Sequence, residues 1–299
     1  MKLGIVVVYL VNEEDEKLLD LHLDQIEKHT QTPCTIYGSV NRLVPKFGQK
    51  LEQHPRVRIC KCPTTDLRDK EEHSFYLEHL IRVAIEDGVS HVAILHVDSF
   101  PIRSGWAEEL ASRLSDSCVL AAIVRDEKHD RKPLTACLFF HRDFYLKYHP
   151  TLLLSEAERS SPKYKQYCQE FEPVVESGIG YGFKAYSEGL SWYPLLKSNR
   201  GEDYGWSGGI YDDLIFHLGG AVWLGDESLR NTSILRKFGS VLFLNRIKEA
   251  MKSVIPRPMW KYFHGPVNLL VKKPLFEHLR VQLFEDPESL LNYLRTGKV

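Results

Sequence analysis

The sequence predicts an α/β fold, a mostly parallel sheet with helices on both faces and a helical extension at the C-terminal end. Three observations predict it. Apolar, β-branched runs alternate with helical patterns through the first hundred residues, the signature of βαβ units. The apolar runs are continuous rather than alternating, as suits strands buried on both faces. The chain has 299 residues, 43% of them hydrophobic, enough for a sizeable core in one large or two modest domains.

Leu3–Leu10 is the first strand. Its apolar run has eight residues and Asn12-Glu-Glu-Asp15 follows at once, so it reads as a strand rather than a signal peptide. Glu14–His29 sets Leu18, Leu19, Leu21, Leu23 and Ile26 among charges and predicts a helix. Pro33–Val40 and Val57–Cys60 are the second and third strands. Ser74 opens a helix to about Glu86, favoured by the acidic Asp69–Glu72 run before it and stopped by Asp87-Gly88. His91–Val97 is the fourth strand. Beyond it, Val119–Val124 and Leu134–His141 read as strands, Arg142–Tyr148 as a turn or short helix, and Glu156–Gln169 as a polar helix. Ser177 to Gly209 holds eight glycines and reads as a long functional or mobile loop. Asp212–Leu218 is regular again, and residues 240–299 read as helices broken by prolines.

The net charge of -1 gives no electrostatic drive toward nucleic acid, so no nucleic-acid partner is expected. No run approaches the roughly 18 apolar residues of a membrane span. The six cysteines include a C-x-C pair, Cys60 and Cys62, without a second pair at zinc spacing. They read as reduced thiols of a cytoplasmic protein. The sequence carries no signal for an oligomeric state.

In parallel α/β sheets, ligands bind beyond the carboxyl ends of the strands. That rule gathers Tyr9–Asn12, Val40–Arg42 and His96–Ser99 at one rim. The most informative segment is Ile94-Leu-His-Val-Asp-Ser-Phe-Pro101, where a hydrophobic strand runs into His-x-Asp and then Pro. A carboxylate there can hold a divalent cation, and a cation is what a diphosphate needs for charge neutralisation. His96 and Asp98 are two apart and would point the same way if the segment were extended. The alternative reading of Asp98 is the cap of the turn that starts with Ser99 and Phe100-Pro101.

This segment resembles the DxD region of GT-A glycosyltransferases (family 2-like), a strand followed by Asp-Ser-Asp and a nearby Pro. The order of surrounding elements is also similar: Glu71-Glu-His-Ser74 before a helix, Asp87-Gly-Val-Ser-His91 into the strand, Pro101-Ile-Arg-Ser-Gly-Trp106 after it. Anchored on Phe100-Pro101, Asp98 takes the place of the motif's second Asp and His96 the place of the first. Imidazole for carboxylate suits Mn²⁺ or Zn²⁺ better than Mg²⁺. The resemblance implies a Rossmann-like sheet that binds a nucleotide-diphosphate sugar as donor, with Mn²⁺ or Mg²⁺. It further implies a glycan or lipid-linked acceptor, a catalytic domain over 1–239 (donor half 1–105, acceptor half 106–239) and an extension over 240–299.

The same resemblance assigns further candidates. Tyr9 would stack on the base and Asn12 bond its edge, with a core ring as the other reading of Tyr9. Asn41 would line the nucleoside pocket or serve as a turn residue. Arg68 would pair with phosphate or stay a solvated surface group. His217, in Tyr211-Asp-Asp-Leu-Ile-Phe-His-Leu-Gly-Gly220, would return a late ligand to a metal shared with His96 and Asp98. Glu176, in Glu-Ser-Gly178, is a candidate catalytic base, with Asp212 as the other. Basic and aromatic residues over 240–275 read either as a peripheral membrane contact or as a charged face over a packed one. Two rivals stay open. A sugar-nucleotide nucleotidyltransferase would normally carry a Gly-rich basic loop where this chain has Asn12-Glu-Glu-Asp15. A non-catalytic binding or scaffold protein of the same fold is kept open by the His at position 96.

Overall fold

Six of the seven strands in the main sheet run in one direction, as the continuous apolar runs predict. The computed structural model of the protein describes residues 1–11, 16–41, 43–125, 130–171, 177–201, 207–219 and 276–298. Strands β1 (Leu3–Val8), β2 (Cys34–Ser39), β3 (Val57–Ile59) and β4 (His91–Leu95) alternate with helices α1 (Glu16–His29), α2 (Pro45–Gln53) and α3 (Asp69–Glu86). After β5 (Ser99–Pro101) and α4 (Trp106–Ser112) come β6 (Cys118–Arg125) and β7 (Asp130–His141). The helices α5 (Arg142–Tyr148), α6 (Glu156–Ser160), α7 (Pro162–Phe171) and α8 (Ile179–Ser187) follow, then β8 (Ser191–Leu195), β9 (Gly209–Tyr211) and β10 (Ile215–His217). Two helices close the chain, α9 over 276–285 and α10 (Pro287–Thr296).

The main sheet has the order β3-β2-β1-β4-β7-β6-β8. β1 pairs in parallel with β2 and β4, and β2 with β3. β7 is antiparallel to both of its neighbours, while β6 and β8 are parallel. A second, antiparallel sheet has the order β5-β10-β9.

The period of two along each strand divides the core into two layers. Leu3, Ile5 and Val7 face α1, α2 and α4, packing with Leu19, Ile26, Phe47 and Trp106. Val6 faces the other way, toward Leu77, Leu80 and Ile81 of α3 and Tyr181 of α8. The sheet is therefore covered on both faces. α9 and α10 extend the first layer: Leu279, Leu283 and Leu294 are fully buried in the same cluster as β1 and α1, and Glu288 bonds Gln25 and Lys28 of α1.

Local chemistry explains where elements differ from the sequence reading. α3 begins at Asp69 rather than Ser74, because the acidic run forms its first turn and complements the positive end of the helix. The helix expected over Glu156–Gln169 is split. Pro162 pushes the preceding Ser161 to an extended conformation (ψ 147°), which ends α6. The Gly-rich stretch is not one long loop, since α8 occupies its first part. A Cβ at Gly180 would lie 1.9 Å from the Thr151 carbonyl oxygen, and one at Gly182 would lie 2.6 Å from the Pro133 ring. Those glycines serve close packing of a helix rather than mobility.

Gly48 in α2 is the contrasting case, with nothing within 4 Å of the point where a Cβ would stand. Gly48→Ala is therefore expected to stabilise the protein by about 0.5–1 kcal/mol through helix propensity. Gly180→Ala is expected to destabilise it strongly, and paired denaturant melts check both.

All six cysteines are free thiols. Among the described residues no helix is long and apolar enough to cross a membrane. The proposed membrane contact over 240–275 lies outside the described residues.

Candidate functional site

The parallel strands end on one rim, and there the chain changes sheets. β4 stops at Leu95, the Ser99 N–H donates to the His96 carbonyl at 3.0 Å to close a turn, and Ser99 opens β5 in the small sheet. His96 and Asp98 thus sit on a turn, not on the extended segment expected. The turn still brings them together, with His96 Nδ1 at 3.9 Å from Asp98 Oδ1.

The small sheet supplies the third group. β10 runs antiparallel to β5 with His217 opposite Ser99, and the Leu218 N–H donates to the Asp98 carbonyl at 2.9 Å. That register places His217 Nε2 3.7 Å from Asp98 Oδ1. One ligand atom from each of His96, Asp98 and His217 lies within 4.8 Å of the other two. Asp98 is 5% exposed, so its carboxylate looks onto the two imidazoles rather than onto bulk water.

These residues fit a divalent cation. Two ligands each about 2.1 Å from one ion are about 3.4 Å apart at the tetrahedral angle. The two separations from Asp98 exceed this by a few tenths of an ångström, and all three ligand atoms lie within 4.8 Å of one another. The outer partners also fit. His96 Nε2 lies 3.0 Å from Thr135 Oγ1, because β7 runs past the end of β4 and carries Thr135 over the rim. With the Nε2 proton given to Thr135, Nδ1 offers its lone pair toward Asp98, the arrangement that orients a metal-binding histidine.

Two histidines near this turn were not singled out by the sequence. His73 of α3 meets His96 edge to face, ring centroids 5.2 Å apart, and burial lowers its pKa to about 4. His22 of α1 is fully buried. Its Nδ1 lies 3.1 Å from the Ser99 carbonyl oxygen and its ring packs edge to face on Tyr9 at 5.8 Å. Spacing could have revealed His22, which falls on the ridge Leu18–His22–Ile26, all three buried and four residues apart on one helix face.

Burial lowers the His22 pKa to about 3, opposed chiefly by the hydrogen bond to the Ser99 carbonyl. In the unfolded chain the group titrates near 6.5. Between these values the unfolded chain binds a proton that the folded chain refuses. Its contribution is complete above about pH 6.5 and drains by roughly 1.4 kcal/mol per pH unit as pH falls toward 3. His22→Leu is therefore expected to flatten the acid limb of a stability–pH profile by about one proton, read from urea melts between pH 6.5 and 4.5.

The other candidates take different places. Tyr9 is 1% exposed and belongs to the core layer. That is the surrounding its core-ring reading describes. Its hydroxyl is buried without a partner among the described residues, and burial raises its pKa. Asn41 accepts from Ser39 Oγ at 2.9 Å and donates to the Cys62 carbonyl at 3.1 Å, which ties the end of β2 to the chain after β3. Arg68 is exposed at the start of α3, with Nη1 on the Leu67 carbonyl at 2.8 Å. Asp212 spends one oxygen on Arg113 Nη1 at 2.9 Å and the other on the Leu196 N–H at 2.9 Å. Asn12 and Glu176 lie outside the described residues. Ser177, next to Glu176, bonds Ser74 at 2.8 Å between hydroxyls, one residue from His73.

No family model matches the chain, and no curated protein matches it. Among solved structures, it is similar to the mannosyltransferase PcManGT from Pyrobaculum calidifontis, solved in complex with GDP-Man and Mn²⁺. The identity is 13% and the TM-score 0.48, over 99% of this chain and 79% of that one. It is also similar to the glycosyltransferase GlyE of Streptococcus pneumoniae TIGR4, at 15% identity and a TM-score of 0.38, over 68% of this chain and 46% of that one. Likenesses at these scores carry no argument about activity.

Proposed function

We propose that the protein is a GT-A-type glycosyltransferase that uses a divalent cation and moves a sugar from a nucleotide-diphosphate donor to a glycan or lipid-linked acceptor. The observation that carries this reading is the convergence of His96, Asp98 and His217 at the carboxyl rim of parallel strands, where α/β sheets take their ligands. The DxD-like segment, with Asp98 in the second acidic place, supports it from the sequence side.

His96, Asp98 and His217 would hold the cation, which when bound would neutralise charge on the departing diphosphate. The residues around it orient and shield. Thr135 fixes the His96 ring, the β5–β10 pairing fixes His217, and His73 closes the α3 side as a neutral imidazole. For the acceptor hydroxyl, Glu176 is the better base of the two candidates, because both oxygens of Asp212 are engaged by Arg113 and Leu196. A carboxylate with both oxygens held in this way is not free to turn toward an acceptor hydroxyl.

Two imidazoles and one carboxylate favour Mn²⁺ over Mg²⁺. The parent protein is expected to bind Mn²⁺ at least about tenfold more tightly than Mg²⁺, and His96→Asp to narrow that gap by about tenfold, in parallel calorimetric titrations. The functional test is a donor panel of UDP-, GDP- and dTDP-sugars with Mn²⁺. Binding or slow hydrolysis of one of them, lost on removal of metal, is expected. Neither binding nor hydrolysis of any donor would remove the proposal.

A further inference from the structure

We infer that His22 is a positioning residue for this site: through its Nδ1–H bond to the Ser99 carbonyl it holds the 96–99 turn in the conformation that aims His96 and Asp98 at His217. The inference rests on the metal reading above for its consequence, though not for its geometry.

The backbone of Ser99 creates the need for a donor. The Leu218 N–H to Asp98 carbonyl bond and the Ile102 N–H to Leu214 carbonyl bond, both 2.9 Å, flank the Ser99–His217 and Pro101–Ile215 pairs. In an antiparallel ladder this makes Ser99 a non-hydrogen-bonded position, so its carbonyl points away from β10. β5 is the edge of the small sheet, with no strand on that side among the described residues. The carbonyl is buried with its residue and needs a donor. His22 supplies it, from the middle of a helix anchored on both sides by Leu18, Leu19, Leu23 and Ile26.

The choice of a histidine here is informative because it is costly. His22 Nε2 is buried without a hydrogen bond of good geometry among the described residues, and burying such an atom carries a desolvation cost. A leucine would fill the same core place without that cost. What leucine cannot do is donate to Ser99. The bond acts at a pivot. Ser99 follows Asp98 directly, its N–H closes the turn on His96, and it stands opposite His217. Loss of the His22 bond would free the turn that sets both the 3.9 Å and the 3.7 Å separations.

Two variants separate positioning from packing. His22→Leu keeps the volume and removes the donor. His22→Asn keeps an amide N–H where Nδ1–H stands. The first readout is amide hydrogen exchange in peptides covering 96–101 and 215–218, which requires no metal. The second is Mn²⁺ affinity, from electron paramagnetic resonance of free Mn²⁺. His22→Leu is expected to exchange at least about tenfold faster in both peptides and to bind Mn²⁺ about tenfold more weakly, with a melting temperature at neutral pH no lower than the parent's. His22→Asn is expected to restore most of both.

Unchanged exchange and unchanged Mn²⁺ affinity in a folded His22→Leu protein would overturn the inference. So would equal losses in the Leu and Asn variants, which would mark a packing role. Faster exchange in a protein whose parent binds no Mn²⁺ would sink the metal reading while leaving the anchoring role of His22 in place.

Discussion

Asp98→Asn is expected to abolish Mn²⁺ binding while leaving the metal-free protein folded. Asp98 is the vertex shared by the two separations, to His96 Nδ1 and to His217 Nε2. Asparagine keeps its shape and removes its charge. Two neutral imidazoles would then face the cation alone, and affinity is expected to fall at least about 100-fold. The proposed transfer would depend on several kcal/mol of charge stabilisation at the diphosphate, so it is expected to fall by about a thousandfold or more. The fold does not need the carboxylate in the same way, since a buried charge carries a desolvation cost that asparagine lacks. Thermal melts with and without Mn²⁺ check both halves. The parent's melting temperature should rise with Mn²⁺ by mass action, while the variant's should not move, from a metal-free value at or above the parent's.

The largest stability effect is expected from the C-terminal helices. Leu279 and Leu294 are fully buried in the layer shared with β1 and α1, and Leu→Ala at such sites costs about 2–5 kcal/mol. For a chain of this size that is a fall of roughly 5–15 °C in melting temperature. Leu279 has a second consequence. Its side chain lies against Gly208, whose φ of 62° and N–H bond to the Leu218 carbonyl at 2.9 Å fix the entry to β9. β9 pairs with β10, which carries His217. Leu279→Ala is thus expected to weaken Mn²⁺ binding as well as stability. Leu294→Ala should act more on the 200–201 segment, whose N–H groups of Arg200 and Gly201 meet the Leu294 carbonyl. Comparing the two variants in calorimetry separates loss of core from loss of site.

The fold class was legible because strands buried on both faces leave continuous apolar runs, and the five-residue β4 leads straight into the site turn. The reversed direction of β7 was legible in principle, since only four residues separate it from β6, too few for a parallel crossover. α8 was hidden by its own glycines. Gly180 and Gly182 look like loop residues until the Thr151 carbonyl and the Pro133 ring are seen against them, and such contacts come from residues far along the chain. The same holds at the site. Asp98 and His96 could be placed because a strand ends there, and His217 because an apolar run stops at it before two glycines. His73 could not be, since nothing local distinguishes it from any other polar residue early in a helix. Asp212 was chosen for its chemistry alone. Its neighbour Arg113 is 99 residues away, and nothing local in the sequence points to that pairing.

The proposed function turns on one cation shared by His96, Asp98 and His217. Electron spin echo modulation of Mn²⁺ bound to the parent protein tests it most directly, because imidazole nitrogen on the ion is seen as ¹⁴N coupling. Coupling is expected from two nitrogens in the parent, from one in His96→Ala and one in His217→Ala, with no bound Mn²⁺ in Asp98→Asn. Bound Mn²⁺ with no ¹⁴N coupling, or with coupling unchanged in both histidine variants, would contradict it.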